Sequence, residues 1–337
     1  MTPAQIRSAL TAGIISQQQA NDMLLKQGAA PLSEDAAVIG NEDEMRFIRG
    51  FSDIFIAIGM VILLIGMLVF SAAMGGSGIP FLAAAGISFL LAEYFGRKKR
   101  QHLPTLVTAI GFMFFIIIGV SVMMGMDRFS SSGNIVAAVI SVAAMFLFYY
   151  RIKLPFCMAL IAYSLVYLGF SIIATAFDVN LTLIGVFLFL SGIAIVWWAL
   201  KYDVKDPDRM TRYADNAFWL HLVSAPLIIH GLVVLFIGVT DDLSSTTAFA
   251  TLGIVLMVGL FGLAIDRRAF LTSSLVYAGM AIGYFMYKVS LDPTLAIAFT
   301  LLLLGSAVVF LGAGWDTARA GLLKVLPKWK IFRPKQV

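Results

Sequence analysis

The stretch AFWLHLVSAPLIIHGLVVLFIGV, residues 217–239, decides the fold class of this chain. It is almost entirely apolar, and at 1.5 Å per residue it is long enough to cross a hydrocarbon core of about 30 Å. It contains Pro226, the only proline inside a hydrophobic segment, and His230, the only imidazole that we place near a membrane midplane. The stretch therefore predicts a transmembrane helix that carries a proline and a deeply placed polar group.

Similar stretches recur along the whole chain. Its 337 residues are 60% hydrophobic and only 13% charged, whereas a soluble domain is about half apolar and about a quarter charged. The predicted spans are 51–74, 79–95, 103–124, 134–150, 154–177, 179–200, 217–239, 247–265, 269–287 and 294–314. The sequence therefore predicts an all-α membrane protein with about ten transmembrane helices.

The segments outside the spans are short. Residues 1–44 predict a cytoplasmic helical hairpin with an acidic linker, in which Ser16 and Gln19 form a capping box. Residues 45–314 then form the ten-helix domain, and residues 315–337 form a basic cytoplasmic tail. Because the hairpin buries little surface alone, we expect residues 1–28 to pack on a second copy, a protein partner or the membrane. A solvated appendage is the alternative.

The distribution of basic residues predicts the orientation. With the N-terminus inside, the inner segments hold 22 of the 24 Lys and Arg residues, and the outer loops hold only Arg128 and Lys288. Such a bias is typical of cytoplasmic loops, so both termini are predicted to be cytoplasmic. The net charge of +5 is then explained by topology, and we expect no nucleic-acid partner.

Motifs for specific chemistry are absent from the sequence. It has no phosphate-binding loop, zinc-binding helix motif or nucleophile elbow, and its single cysteine is Cys157. No Asp, Glu, Lys or Arg lies near the middle of a predicted span. We therefore expect no cofactor, no metal and no enzymatic activity.

His230 is the strongest intramembrane candidate. It lies about 13 Å from the outer end of its predicted span, and Pro226 leaves the carbonyl of Leu222 without its helical donor. A kink at Pro226 could open a cavity beside the imidazole and make His230 part of a path. Alternatively, His230 is a neutral core histidine bonded to a Ser, Thr or Tyr of a neighbouring helix.

Polar groups also cluster near the predicted inner boundary. His221 lies half-way round the helix from His230, and we expect it to meet lipid headgroups or the pair Asp215 and Asn216. Glu93 precedes Arg97 by four residues, a spacing that favours a surface ion pair over a proton relay.

A basic cluster follows the second predicted span. It consists of Arg97, Lys98, Lys99 and Arg100. We expect these residues to contact anionic lipid headgroups at the cytoplasmic face, although they could serve only to fix the topology.

Several segments carry a family resemblance. They are the hairpin residues Gly13–Ser16 with Gln19 and Ala20, the run DNAFWLHLVSAPLIIH at 215–230, the run AIDRRAFLTSSLVYAG at 264–279, and Leu326–Pro327. Together they resemble uncharacterised proteobacterial inner-membrane proteins of the domain-of-unknown-function type. The resemblance implies a multi-pass protein of the bacterial inner membrane, and it implies no activity, cofactor or functional residue.

Two functions remain open at this point. The first is a carrier for a small or amphipathic solute or a lipid, with its path near the seventh span. The second is a non-transporting scaffold or regulator that acts through its cytoplasmic hairpin and loops. A membrane enzyme ranks third, because no acid, base or metal constellation is present.

Overall fold

The computed structural model describes residues 3–11, 14–26, 51–74, 77–125, 132–206, 209, 211–238, 244–289 and 292–326, and their regular structure is entirely helical. The helices are α1 Pro3–Thr11, α2 Gln17–Lys26, α3 Phe51–Ala73, α4 Ile79–Glu93, α5 His102–Met123, α6 Ser132–Ile152, α7 Cys157–Ala176, α8 Leu181–Lys205, α9 Arg212–Phe236, α10 Ser245–Ala264, α11 Ala269–Val289, α12 Pro293–Ala313 and α13 Trp315–Val325. A π-helical turn, Tyr94–Lys98, continues α4.

Ten of these helices, α3 to α12, are long and apolar enough to cross a membrane. They correspond one to one with the ten predicted spans, so the predicted fold class is confirmed. The chain is an integral membrane protein whose helices contact the lipid bilayer.

Two helix ends differ from the prediction in a way that matters for the site. α8 continues to Lys205 and α9 already begins at Arg212, so each helix extends five residues beyond its predicted span. The added residues are largely polar, and hydropathy alone could not include them. Thr211 caps α9 by accepting a hydrogen bond from the backbone N–H of Tyr213 at 3.2 Å.

Side-chain caps also fix the starts of other helices. Asp292 precedes Pro293 and accepts hydrogen bonds from the backbone N–H groups of Thr294 at 2.7 Å and Leu295 at 3.1 Å. These N–H donors favour the ionised carboxylate and hold the pKa of Asp292 below its usual value. Asp292 is therefore the N-cap of α12, the last of the ten spans.

The described residues divide into two compact units, and the first comprises Met1–Leu63 and Leu91–Thr108. In it, α1 and α2 pack through a small buried cluster of Ile6, Ala20 and Leu24. The predicted capping box is present, because Ser16 N–H donates to Gln19 Oε1 at 2.8 Å and Gln19 N–H donates to Ser16 Oγ at 3.3 Å.

The second unit comprises Leu64–Leu90 and Ala109–Val337, and α9 lies at its centre. α9 packs against α7, α8, α10 and α11. In the most apolar stretch of α9, 56% of the residues are buried, whereas in the corresponding stretch of α12 only 11% are buried. The apolar core of the unit comprises Val196 of α8, Ala225, Ile228, Ile229 and Leu232 of α9, Ile254, Val258 and Ile265 from α10 and its C-terminal cap, and Phe270 of α11.

Glycines bring α8 and α9 into close contact. A Cβ atom on Gly231 would lie 2.6 Å from the backbone nitrogen of Phe189, and one on Gly192 would lie 3.0 Å from that of Ile228. Only a residue without a side chain permits this approach. The seam fixes the register of the two helices, and therefore the relative positions of the polar groups at their ends.

Candidate functional site

The candidate site lies where α8 ends and α9 begins. Asp203, in the last turn of α8, forms a hydrogen bond with His221 of α9, with 2.8 Å between Oδ2 and Nε2. The same carboxylate forms an ion pair with Arg267, which follows α10, and the guanidinium donates to both of its oxygens. We call Asp203, His221 and Arg267 the polar network.

All three side chains of the polar network are largely removed from solvent. Their exposed fractions are 13% for Asp203, 1% for His221 and 8% for Arg267. Burying a charge is costly unless it is paired and hydrogen-bonded. The network meets this requirement, because the carboxylate has donors on both oxygens.

The turn between α10 and α11 positions Arg267. Asp266 takes a left-handed backbone conformation with φ of 60°, which aspartate tolerates better than most residues. The backbone N–H of Arg267 then donates to the carbonyl of Gly262 at 2.8 Å, and a Cβ on Gly262 would lie 3.0 Å from the carbonyl oxygen of Arg267. The tight turn directs the guanidinium of Arg267 towards α8.

A second group of contacts surrounds Asp266. Its carboxylate accepts a hydrogen bond from Trp315 Nε1 of α13 at 2.8 Å and pairs with Arg209 Nη2 at 3.0 Å. Arg319 Nε lies 3.9 Å from the same carboxylate. Asp266 therefore joins α13 and the α8–α9 connection to the α10–α11 turn.

Arg209 also donates to the backbone carbonyl of Asp266 at 3.1 Å. Burial lowers the pKa of the Arg209 guanidinium. The ordinary pKa of arginine is so high that the group still carries its charge at neutral pH. The contact is therefore an ion pair under physiological conditions.

One ring nitrogen of His221 is unsatisfied within the residues that the structure describes. Its ring packs against Phe270, with 5.9 Å between the ring centroids. Within the described part of the chain, Nδ1 has no hydrogen-bond partner. Because Nε2 faces a carboxylate, Nε2 is assigned as the protonated nitrogen and Nδ1 as the acceptor. A second proton would leave a buried N–H group without an acceptor, and this geometry therefore fits the neutral ring.

The predicted surroundings of His221 were wrong. The side chain was expected to meet lipid headgroups or Asp215 and Asn216, but it is buried against Asp203. The reason is the additional turn of α8, which carries Asp203 to the level of His221. Asp215 is half-buried and Asn216 is buried.

His230 lies on the other side of α9 from His221. Its Nδ1 is 3.0 Å from the Tyr277 hydroxyl of α11, and the two rings meet edge to face at 5.3 Å. This agrees with the interpretation of His230 as a histidine bonded to a tyrosine. The predicted core position was wrong, however, because the His230 side chain is exposed on the protein surface. Pro226 lies inside a continuous helix. A path at His230 and Pro226 stays a prediction.

The polar groups at the end of α4 match their predicted surface positions. Arg97 Nη1 pairs with Glu93 Oε1 at 3.0 Å, which confirms the expected ion pair. Arg97, Lys98, Lys99 and Arg100 are all exposed. Their contact with anionic headgroups stays a prediction.

Sequence reasoning missed Asp203, Arg267, Asp266, Arg209 and Trp315 as site residues. Two signals were available in the sequence. Asp203 lies shortly beyond the predicted span 179–200, and Asp266, Arg267 and Arg268 lie between two predicted spans. Neither signal identifies a partner, because Asp203 and Arg267 are 64 residues apart.

The fold and the site define a multi-pass integral membrane protein with a buried charged network at one end of its helices. Within the described residues, no group of three or more His, Cys, Asp or Glu side chains could hold a metal ion. In comparisons with protein-family models, curated proteins and solved structures, nothing matched this chain. The resemblance to proteobacterial inner-membrane proteins therefore stays an expectation.

Proposed function

We propose that the protein is a carrier for a small or amphipathic solute or a lipid, and that the polar network is the gate at one end of its path. The observation that supports this proposal is the buried pairing of Asp203 with both His221 and Arg267. Paired charges at the ends of spans are costly to build, and a common use of such groups is to hold one of two arrangements.

The position of the network suits a gate. A carrier must open to each side of the membrane in turn, which is achieved by moving groups of helices relative to one another. The network joins the end of α8 to the start of α9 and to the α10–α11 turn. Separating these ends would break three hydrogen bonds and leave the glycine seam deeper along α8 and α9 in place.

The predicted orientation assigns the gate to the cytoplasmic side. Lys201, Lys205 and Arg212 lie beside the network in sequence, and basic residues accumulate at cytoplasmic ends. The proposal therefore includes a location in the bacterial inner membrane with both termini in the cytoplasm.

A scaffold or regulatory protein is the second candidate. Two observations favour it, namely the self-contained cluster of the α1–α2 hairpin and the tightly packed apolar core around α9. In this case residues 1–28 would hold a protein partner or a second copy. Deleting residues 1–44 should then abolish the phenotype while leaving insertion intact, whereas a carrier should keep most of its activity.

Cysteine accessibility tests the gate directly. Cys157 is buried and can be replaced by Ala to give a background without cysteine. Ser224 is fully buried one turn beyond His221, to whose carbonyl it donates a hydrogen bond at 3.1 Å. We expect Ser224→Cys to react slowly with a membrane-impermeant maleimide in inside-out vesicles. Adding Asp203→Asn should increase the rate about tenfold or more, because the gate then opens.

Two controls separate gating from general loosening. Ser164→Cys places a thiol at an equally buried position in α7, and its reaction should stay slow with Asp203→Asn present. Asp316→Asn removes an exposed carboxylate of α13 and should not change labelling at Ser224→Cys. Unchanged protection of Ser224→Cys in the Asp203→Asn variant would reject the gate and favour the scaffold.

A further inference from the structure

Along one face of α8, the exposed side chains change from apolar to aromatic and then to basic. Val186, Leu190, Ile193 and Trp197 are exposed apolar residues, and Trp197 is 63% exposed. Lys201 and Lys205 are exposed in the next two turns. The spacing of three or four residues places these side chains along one side of the helix. We call these six residues the α8 stripe.

The two ammonium groups of the α8 stripe lie over aromatic rings. Lys201 Nζ is 3.3 Å from the ring centroid of Trp197. Lys205 Nζ is 5.6 Å from the ring of Tyr213 in α9 and 6.0 Å from that of Tyr202. The two tyrosine rings are stacked, with 5.7 Å between their centroids. The aromatic rings hold both lysines at the same end of α8.

Within the described residues, neither lysine has its charge neutralised by a carboxylate. Among the described residues, no carboxylate pairs with Lys201 or Lys205. Aromatic faces attract an ammonium group but carry no net charge, so both positions can still accept an anion.

We propose that the α8 stripe binds an anionic phospholipid. The acyl chains lie along Val186, Leu190 and Ile193, the glycerol region contacts Trp197, and the phosphate lies between Lys201 and Lys205. Tryptophan and lysine are the residues that meet the headgroup region at the ends of transmembrane helices.

Dimensions and charge favour a lipid over a protein partner. Leu190 and Lys201 are separated by about 16 Å along the helix, close to half the thickness of a hydrocarbon core of about 30 Å. The order from apolar side chains to an aromatic ring and then to cations reproduces the order along a phospholipid. The predicted cytoplasmic leaflet is also the leaflet that is rich in anionic lipids.

The location gives the lipid a structural role. Asp203 lies between Lys201 and Lys205 in sequence but about 200° round the helix from each, so it faces the polar network. A bound headgroup would hold the last turn of α8 from its outer side. This inference does not depend on whether the protein transports a solute.

Fluorescence quenching can test the site in the full-length protein. The protein is reconstituted in vesicles that contain increasing fractions of brominated phosphatidylglycerol or brominated phosphatidylcholine. The difference between the wild type and the Trp197→Phe variant isolates the Trp197 signal from the other tryptophans. We expect half-maximal quenching of Trp197 at about a fivefold lower fraction of the anionic lipid, as one well-placed charge provides.

Two pairs of lysine variants show which residues are responsible for the preference for the anionic lipid. The pair Lys201→Gln and Lys205→Gln should abolish the preference for the anionic lipid. The pair Lys153→Gln and Lys324→Gln removes the same charge from other exposed positions and should leave the preference intact. Equal quenching by the two lipids, or equal loss in both paired variants, would overturn the proposal.

A competition experiment distinguishes binding of a lipid from binding of a free anion. Glycerol phosphate carries the same phosphate without acyl chains, so it should not reduce quenching by brominated phosphatidylglycerol. Competition by glycerol phosphate would show that the lysines bind a soluble anion, and the lipid proposal would then fail.

Discussion

α9 carries two histidines whose surroundings differ in almost every respect. His221 is buried, bonded to a carboxylate and close to a guanidinium, whereas His230 is exposed and bonded to one neutral hydroxyl. They are nine residues apart, which places them about 13 Å apart along the axis and on opposite sides of the helix. The two histidines therefore meet different neighbouring helices, and only His221 reaches the carboxylate at the end of α8.

The comparison predicts the largest loss of stability when Asp203, the carboxylate partner of His221, is removed. Asp203→Ala leaves Arg267 buried without a counter-charge and His221 without an acceptor. Breaking a buried pair in this way should cost about 3–5 kcal/mol. The free energy of unfolding in detergent or lipid would measure the loss. Asp316→Ala, which removes an exposed carboxylate of α13, should change it by less than about 0.5 kcal/mol.

The double variant Asp203→Leu and Arg267→Met sharpens this prediction. Replacing both members of a buried pair by apolar residues of similar volume is often neutral. We therefore expect the double variant to recover most of the stability lost in Asp203→Ala. Failure to recover would indicate that the network stabilises the fold through contacts other than the pair.

The next effect concerns the glycine beside His230. Gly231→Ala would place a Cβ 2.6 Å from the backbone nitrogen of Phe189, so α8 and α9 must separate. Overpacking of this kind costs about 1–3 kcal/mol. Gly253→Ala provides the control, because nothing lies within 4 Å of the added Cβ. Thermal unfolding should show destabilisation of the first variant, and a gain of about 0.5–1 kcal/mol in the second from the higher helix propensity of alanine.

His221→Leu should have an effect of similar size. It removes the donor to Asp203 Oδ2 while Arg267 remains in place, and the cost of the lost donor is about 1–3 kcal/mol. His221→Gln can still donate to the carboxylate, and we expect it to retain part of the stability. Equal unfolding free energies for the Leu variant and the wild type would show that the bond to Asp203 contributes nothing.

The sequence predicts the ten spans well because length and hydropathy alone determine them. The ends of α8 and α9 could not be predicted, since a helix continues into water for reasons of capping and tertiary contact that hydropathy does not contain. Asp53 illustrates the same limit. Asp53 is buried in α3 and accepts a hydrogen bond from Gln101 at 2.8 Å, a contact between distant positions that hydropathy does not indicate.

The candidate site was predictable only in part for a related reason. Both histidines and the proline of α9 are visible in the sequence, and the opposite phases of His221 and His230 follow from their spacing. Their partners are not visible, because Asp203 and Tyr277 reach them from other helices. Hydropathy can place a residue at a depth, whereas its partner depends on how neighbouring helices are rotated.

The smallest effect is expected at His230. A hydrogen bond between transmembrane helices contributes about 0.6 kcal/mol on average. Among the described residues, the exposed ring of His230 has one hydrogen-bond partner, Tyr277. A double-mutant cycle with His230→Leu and Tyr277→Phe should therefore give a coupling energy near that value, measured from unfolding free energies in lipid. His230→Gln should unfold like the wild type. If His230 instead lines a proton-linked path, the Gln and Leu variants should both fold normally and both lose the pH dependence of activity. A coupling energy above about 2 kcal/mol would contradict the exposed position, because a value of that size requires a bond shielded from the surroundings.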